Sequence, residues 1–305
     1  MTRGPLIIGD PSDSHVVAVT QELHRIGQSP FLCDAPSLQS GGFSLRSLQL
    51  RNSHGETSLD GGRGWLRRYA PNMWMEGTAA GSLEGVTSRA FLGLVGSISR
   101  LGAVEWLTPL DSMLRAEDRL LQLQVVAQTG SRVPETIVTS DADEAFDLLG
   151  PRFVVKPLVG GLYQSDAGAF AVYASEFAES DRGLASFASA PFVAQERIEV
   201  LEHLRVVTVG TSAWVAVLDA AGRPLDWRRQ ERAHFEWRPA DEPDVRDAAL
   251  EVSGHLGIGY SSQDWVRDMN GFVFLDLNPG GQWLFLPEAI ARPATVAIAE
   301  FLAES

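Results

Sequence analysis

The stretch GYSSQDWVRDMNGFVFLDLNPGGQW (259–283) decides how the rest of the chain is read. Two largely apolar runs flank Asp268-Met269-Asn270-Gly271, and an Asn-Gly pair between such runs is a strong hairpin signal. With the turn there, Asp264 on the first strand falls opposite Asp276 on the second. Asp276 and Asn278 are two apart, so they share a face of the strand. Three oxygen-bearing side chains thus converge on one side of the hairpin. Hard oxygen ligands that leave positions open suit Mg²⁺ carrying nucleotide phosphates. The alternative is that Asp276 and Asn278 only open the NPGG turn. Against it, a lone carboxylate buried after Phe272-Val273-Phe274-Leu275 would be costly.

Upstream, PRFVVKPL (151–158) reads as a buried strand ending in Lys156 before Pro157. Lys156 is the single lysine beside 24 arginines. An ammonium among apolar neighbours needs an anion. Either it faces a cleft and meets a phosphate as a compact point charge, or it forms a structural ion pair with a nearby acid. The loop that follows contains Gly160 and Gly161, small residues that suit closure over phosphates by backbone amides. PFVAQERI (191–198), HLRVVTVG (203–210) and AWVAVLDA (213–220) read as further strands, and LDWRRQER (225–232) as a charged segment around Trp227. A helix is expected from Asp244 to about Leu256, closed by Gly257.

Toward the N-terminus, Pro5–Gly9, His15–Ile26 and Pro30–Cys33 form a strand-helix-strand unit of a doubly wound sheet. Asp10, Ser12 or Asp13 caps the helix and Gly27 ends it. The unit lacks G-x-G-x-x-G and so gives no dinucleotide-binding signal. Residues 43–59 suggest a hairpin around RNSHGE, 83–101 a helix, and 104–107 a strand. In GRGWLRRYAP, residues Arg63, Arg67 and Arg68 either grip a carboxylate or phosphate with forked donors or form a solvated basic face. From Ser112 one long helix is expected through RAEDRLLQLQVVAQTG to Gly130. This organisation gives three units: 1–110, 111–195 and 196–305.

The 305 residues carry 25 basic and 39 acidic side chains, a net charge of −14. That balance argues against a general nucleic-acid or anionic-membrane surface. No run approaches the roughly 18 apolar residues of a membrane helix, and MTRGPLIIGDPSD is broken too early for a secretory signal. One cysteine, Cys33, allows no internal disulfide and fits a reducing cytoplasmic setting. On its apolar strand it reads as core filler, and no Ser-His-Asp or Cys-His arrangement is suggested.

Taken in order, AEDRLLQL…GSRVPETIVT, the VVKP strand, the AQERI segment, HLRVVTVG, LDWR and D…FLDLNPGGQW resemble the ATP-grasp carboxylate ligases over residues 111 to 305. The opening unit resembles the domain that precedes the grasp in those enzymes. The resemblance implies an α/β (α+β) chain: an ATP-grasp fold behind an N-terminal doubly wound domain. LDWR, NPGGQW and DPSDSHVVAV look most like the peptide-modifying branch, the microviridin-type (graspetide) maturases. Ligases that add glutamate to a ribosomal protein are more distant.

What the resemblance implies is an enzyme using ATP and Mg²⁺ to activate a carboxylate as an acyl phosphate. Lys156 would bind the α-phosphate, with Arg119 where the family has a phosphate-contacting lysine. Gln195, Glu196, Arg197 and Ile198 would form the adenine-binding hinge, with Glu196 nearest. Arg205 and Arg228 would hold the γ-phosphate and the acyl-phosphate oxygens. Asp264, Asp276 and Asn278 would hold two Mg²⁺, and Gly160 and Gly161 would sit in a closing loop. The expected partner is a precursor peptide with leader and core, and a homodimer is left open. Two departures stand out: Arg119 replaces lysine, and Asp276 replaces a glutamate one methylene longer. Alternatives are a ligase of free amino acids or other small carboxylates, and a catalytically weakened homologue that only binds peptide or nucleotide. For Arg119 the plainer reading is an (i, i+4) neighbour of Arg115 on a solvated helix. For Arg228 it is a solvated charge run with Arg229 and Arg232.

Overall fold

The computed structural model describes residues 4–34, 44–69, 81–158, 162–165, 168–171, 174–181 and 190–304. Its first layer is a parallel sheet in the order β2-β1-β6-β7. Strands β1 (Leu6–Ile8) and β2 (Phe31–Cys33) are joined by α1 (Ser14–Arg25). Asp13 caps α1 by accepting from the His15 amide, which leaves Asp10 to bind Ser12 instead. The segment after β2 holds a three-stranded antiparallel sheet, β3 (Ser44–Arg46), β4 (Gln49–Asn52) and β5 (Gly55–Ser58), one strand more than the expected hairpin. Then come β6 (Gly62–Leu66), α2 (Leu83–Ser99) and β7 (Val104–Trp106). Cys33 is fully buried, and burial pushes its thiol up to about 12.

The expected long helix after Ser112 is two helices, α3 (Leu110–Ala116) and α4 (Arg119–Gln128). Asp118 stops one and caps the other, its carboxylate accepting from the amides of Leu120 and Leu121. Capping places Arg119 at the first position of a new helix, so it is not stacked one turn from Arg115. Leu120, at the start of α4, is 45% exposed.

A second sheet, antiparallel in the order β12-β9-β13-β8, is built from β8 (Thr136–Thr139), β9 (Arg152–Pro157), β12 (Ser175–Ala178) and β13 (Phe192–Glu196), with α5 (Ala142–Leu149) against it. Strands β10 (Leu162–Ser165) and β11 (Gly168–Ala171) pair separately. Phe153 and Val155 pack with Phe146 and Phe177 on one face of β9, so alternation sends Lys156 to the other.

The third sheet is antiparallel in the order β16-β15-β14-β17-β18: β14 (Glu202–Val209), β15 (Ser212–Asp219), β16 (Arg238–Ala240), β17 (Tyr260–Asp268) and β18 (Gly271–Asn278). Helix α6 (Pro243–Leu256) and α4 cover one face through Val206, Leu204, Trp265 and Phe274. Helix α7 (Glu288–Ala303) and the first layer cover part of the other through Val207, Val209, Trp65 and Trp283. Among the described residues, no helix is long and apolar enough to cross a membrane.

Candidate active site

The hairpin that opened the reading is β17–β18, and its register places Asp264 opposite Asp276 and Ser262 opposite Asn278. The corner is not formed by the Asn-Gly pair. Asp268 pairs with Gly271, so Met269 and Asn270 turn the chain, and Gly271 opens β18 with φ +116°. The Asp268 carboxylate accepts from the Asn270 amide at 2.7 Å. A register shift at Asp264/Trp265 leaves Leu275 as the extra residue. Beyond Asn278 the NPGG turn folds back so closely that a Cβ on Gly281 would lie 2.4 Å from the Ser262 Cβ, which only glycine avoids.

Asp264 accepts from Arg205 Nη1 at 2.6 Å, its cross-strand partner on β14. Arg205 also donates to the Gln282 carbonyl at 3.3 Å and lies over the Phe285 ring. Asp276 is less enclosed than its apolar neighbours in the sequence suggested: its side chain is 36% exposed, with Arg119 Nε 3.7 Å away. Arg119 also donates to the Pro157 carbonyl, tying α4 to the end of β9 beside Lys156. Asn278 Oδ1 accepts from the Gly280 amide at 2.8 Å, so the turn role holds for Asn278, and its second lone pair remains.

Lys156 projects between the two antiparallel sheets and donates from Nζ to the Leu275 carbonyl at 3.3 Å. Among the described residues no carboxylate lies within ion-pair distance of it. Burial pulls its pKa below the ordinary lysine value. Asp276 and Asp264 pull it back up, while Arg119 and Arg228 push it further down. The charges of those four groups all reach one ammonium. Arg228 forks onto Asp226, with Nε–Oδ1 at 2.8 Å and Nη2–Oδ2 at 2.6 Å. That hydrogen bonding raises the Arg228 pKa against the opposing effect of burial. Arg228 is thus a paired cation at the site's rim, with about half of its side chain, 51%, still exposed. Asp226 was missed in the sequence, although an acid two before the arginine was a usable signal.

The hinge segment joins β13 to β14, and residues 197–200 belong to no strand. Gln195 is buried, its amide donating to Thr136 Oγ1 at 3.0 Å. Glu196 accepts from the Glu135 amide at 3.3 Å. Arg197 is paired with Glu176 and Glu199. The side chains expected to read a base are thus engaged with protein, and Ile198 is half-buried. Gly160 and Gly161 lie outside the described residues.

The basic tract is neither a solvated face nor, as a whole, a free anion grip. Arg63 pairs with Glu105 and Glu304. Arg67 is 2% exposed, lies 3.2 Å from Asp13 and donates to the Gly280 carbonyl. Burial alone would raise Asp13; the His15 hydrogen bond and the Arg67 charge more than offset it, and its carboxyl sits well below the usual range. The Trp283 amide donates to His15 Nε2 at 3.2 Å. The first layer therefore grips the turn that follows Asn278, a role the sequence did not suggest.

As a donor set for Mg²⁺ the site offers two carboxylates in register and one amide oxygen. Among the described residues no group of three or more His, Cys, Asp or Glu side chains could hold a metal. Two hard oxygen ligands with open positions nevertheless fit an ion that keeps waters and phosphate oxygens in its shell.

No family model matches the chain. It is similar to a curated protein of Xanthomonas campestris pv. campestris (strain B100) named "Probable alpha-L-glutamate ligase", 29% identical over 180 residues, 56% of this chain and 60% of that protein. The chain thus spans about 60% of the length of the curated relatives it matches. Two solved structures superpose along nearly its whole length. One is macrocyclase MdnC bound with precursor peptide MdnA from Microcystis aeruginosa MRC (TM-score 0.83, 20% identity, covering 98% of this chain and 99% of that one). The other is a Chryseobacterium gregarium RiPP-associated ATP-grasp ligase in complex with ADP and a leader and core peptide (TM-score 0.85, 20% identity, 99% and 96%). The fold is that of the ATP-grasp ligases, as the sequence resemblance implied.

Proposed function

We propose that this chain is an ATP-dependent ligase that activates a side-chain carboxylate of a precursor peptide as an acyl phosphate and joins it to a Lys amine or a Ser/Thr hydroxyl. The observation that carries this reading is the convergence around Lys156: Arg119, Arg228, Asp264 and Asp276 all act on its ammonium, and Arg205 is bonded to Asp264. Such a set of cations above paired carboxylates handles polyphosphate, not a neutral ligand. The peptide half is supported by the full-length likeness to two ligases seen with precursor peptides.

ATP supplies the phosphoryl group, and Mg²⁺ would be held by Asp264, Asp276 and Asn278. Lys156 and Arg119 hold the phosphates of the nucleotide, releasing the Leu275 and Pro157 carbonyls. With the side chains of Gln195, Glu196 and Arg197 occupied, the adenine edge meets the backbone from Glu196 to Ile198. Arg205 and Arg228 neutralise the charge that builds on the transferring group, positioned in advance by Asp264 and Asp226. The setting is cytoplasmic, with no nucleic-acid or membrane partner; the acidic net charge supports this.

Incubation with the precursor peptide encoded beside its gene, ATP and Mg²⁺ is expected to remove one water mass per ring while ADP forms. The similarity to a glutamate ligase over 56% of the chain favours a second reading, ligation of free amino acids. ADP formed with free glutamate but never with the peptide would establish that reading instead.

A further inference from the structure

We infer that Arg68 is the anchor for the substrate's side-chain carboxylate, an anion subsite on the first layer facing the phosphate-handling hairpin. This rests on the ligase reading above and names a residue for its acid substrate. Of the arginines around the cleft, Arg63, Arg67, Arg119, Arg205 and Arg228 each bond to a carboxylate or carbonyl of the protein. Arg68, half-buried, has no hydrogen bond and no ion pair among the described residues. A partly desolvated guanidinium without a partner is unfavourable. Its planar fork of donors matches the two oxygens of a carboxylate.

Its position fits that ligand. Arg68 follows β6, at the carboxyl end of a parallel sheet, where open sheets of this kind bind ligands. Its stem packs on the turn after the candidate metal strand: a Cβ on Gly280 would lie 3.4 Å from Arg68 Cγ. Gly280 is held there from behind by Arg67 and is itself bonded to Asn278. The charge of Arg68 reaches Glu117, two residues before Arg119. That places Arg68 between the Asn278 turn and the α3–α4 junction. Glu117 makes no ion pair with it, so the charge stays available to an incoming acid.

In the first half-reaction one carboxylate oxygen attacks the γ-phosphorus. The bond from phosphorus to the β–γ bridging oxygen breaks, ADP leaves with that electron pair, and no proton moves. Arg68 holds the other carboxylate oxygen and keeps the attacking one pointed at the phosphate. A side-chain amide offers it one acceptor and no charge, so Arg68 selects Asp or Glu over Asn or Gln.

The test uses the precursor peptide encoded beside the gene and a form with its core acids changed to amides. Arg68→Ala is expected to raise the KM for the peptide by about 10- to 100-fold, the loss of one charge-assisted bond pair, with the KM for ATP and the melting temperature unchanged. Arg68→Lys recovers part of the loss. In binding assays with a non-hydrolysable ATP analogue, the wild type prefers the acidic peptide over its amide form, and Arg68→Ala binds both alike. An unchanged peptide KM and preference in Arg68→Ala would overturn the assignment while the ligase reading stands. An equal rise in the KM for ATP would assign Arg68 to the nucleotide and overturn it too. If the wild type consumes ATP with no carboxylate, both readings fall together.

Discussion

Lys156 donates to the carbonyl of Leu275, and Leu275 is the only residue of β18 without a cross-strand partner. A bulge disrupts the ladder locally and frees the backbone of its extra residue; here the freed carbonyl receives the lysine. The same bulge sets the chemistry of the strand. Running on unbroken from Asp268–Gly271, the ladder would put Asp264 opposite Leu275. Asp276 and Asn278 would then swing to the side where Gln263 meets α6, because a one-residue slip exchanges the faces. One extra residue thus places the two acids together and gives the lysine a resting acceptor.

That carbonyl is a poor partner for a full charge, and on the proposed ligase reading the lysine exchanges it for a nucleotide phosphate. Lys156→Ala is expected to leave the circular dichroism spectrum unchanged and to weaken ATP binding by about 10- to 100-fold, as the loss of a charged hydrogen bond would. Lys156→Met should melt higher than the wild type at neutral pH without nucleotide. The folded state lowers this lysine's pKa, so the unfolded chain binds more protons and stability rises with pH. The advantage of Lys156→Met therefore shrinks as pH climbs towards the ordinary lysine value of 10.5. Thermal melts from pH 7 to 10.5 check this, and unchanged ATP affinity in Lys156→Ala would remove the lysine from the phosphate site.

Asp264 and Asp276 differ in what else they hold. Each changed to Asn should raise the Mg²⁺ concentration for half-maximal ADP release by about tenfold, for one charged ligand lost. Asp264→Asn should also lower the maximal rate at saturating Mg²⁺, because Arg205 loses the carboxylate that aims it. Asp276→Asn should not, since Asp276 lies 3.7 Å from Arg119 and aims no cation through a hydrogen bond. Mg²⁺ titrations of both variants separate the two effects.

Much of this was readable because it depends on local pattern. The apolar run Phe153–Val155 exposed β9 and put Lys156 at its end, and the Asp264–Asp276 pairing followed from the hairpin. The bulge was not readable. The expected register holds because an error of one at the turn, where Gly271 belongs to the strand, is cancelled by the extra Leu275. The helix break at Asp118 was signalled by its capping side chain but hidden by the apolar period running across it. Arg67 was misread for a different reason: its partners Asp13 and Gly280 are 54 and 213 residues away in sequence, and no periodicity records such a contact.

Arg67 is where the first layer is locked onto the turn after Asn278. Changing one member of a buried pair leaves the other charge stranded, which costs about 3–5 kcal/mol. Arg67→Ala is expected near that range in urea unfolding. Asp13→Asn is expected to be milder, because the Gly280 carbonyl still accepts from Arg67 and an amide oxygen still accepts from the His15 amide and caps α1. Equal losses in both would mean that the charge of Asp13, not its geometry, carries the contact.

The far end of the hairpin is fixed by a second long-range arginine. Arg132 forks onto Asp268 at 2.8 and 2.9 Å, and its carbonyl accepts from the Phe274 amide, so the segment entering β8 is stitched to β18. Hydrogen bonding from Arg132 is the leading cause that lowers the Asp268 pKa from 3.8 to about 2. A depressed carboxylate stabilises the fold above its unfolded pKa, and that share is lost as pH falls from 3.8 through about 2. With Arg132 partly exposed, the pair is worth about 0.5–1 kcal/mol. Asp268→Asn should therefore lower stability by that amount at pH 7, and the difference from the wild type should close below about pH 2. Urea titrations of both proteins between pH 2 and pH 7 measure it. A difference that persisted at pH 2 would assign the effect to the turn bond that Asp268 accepts from Asn270, which an asparagine side chain reproduces less well, and not to the ion pair.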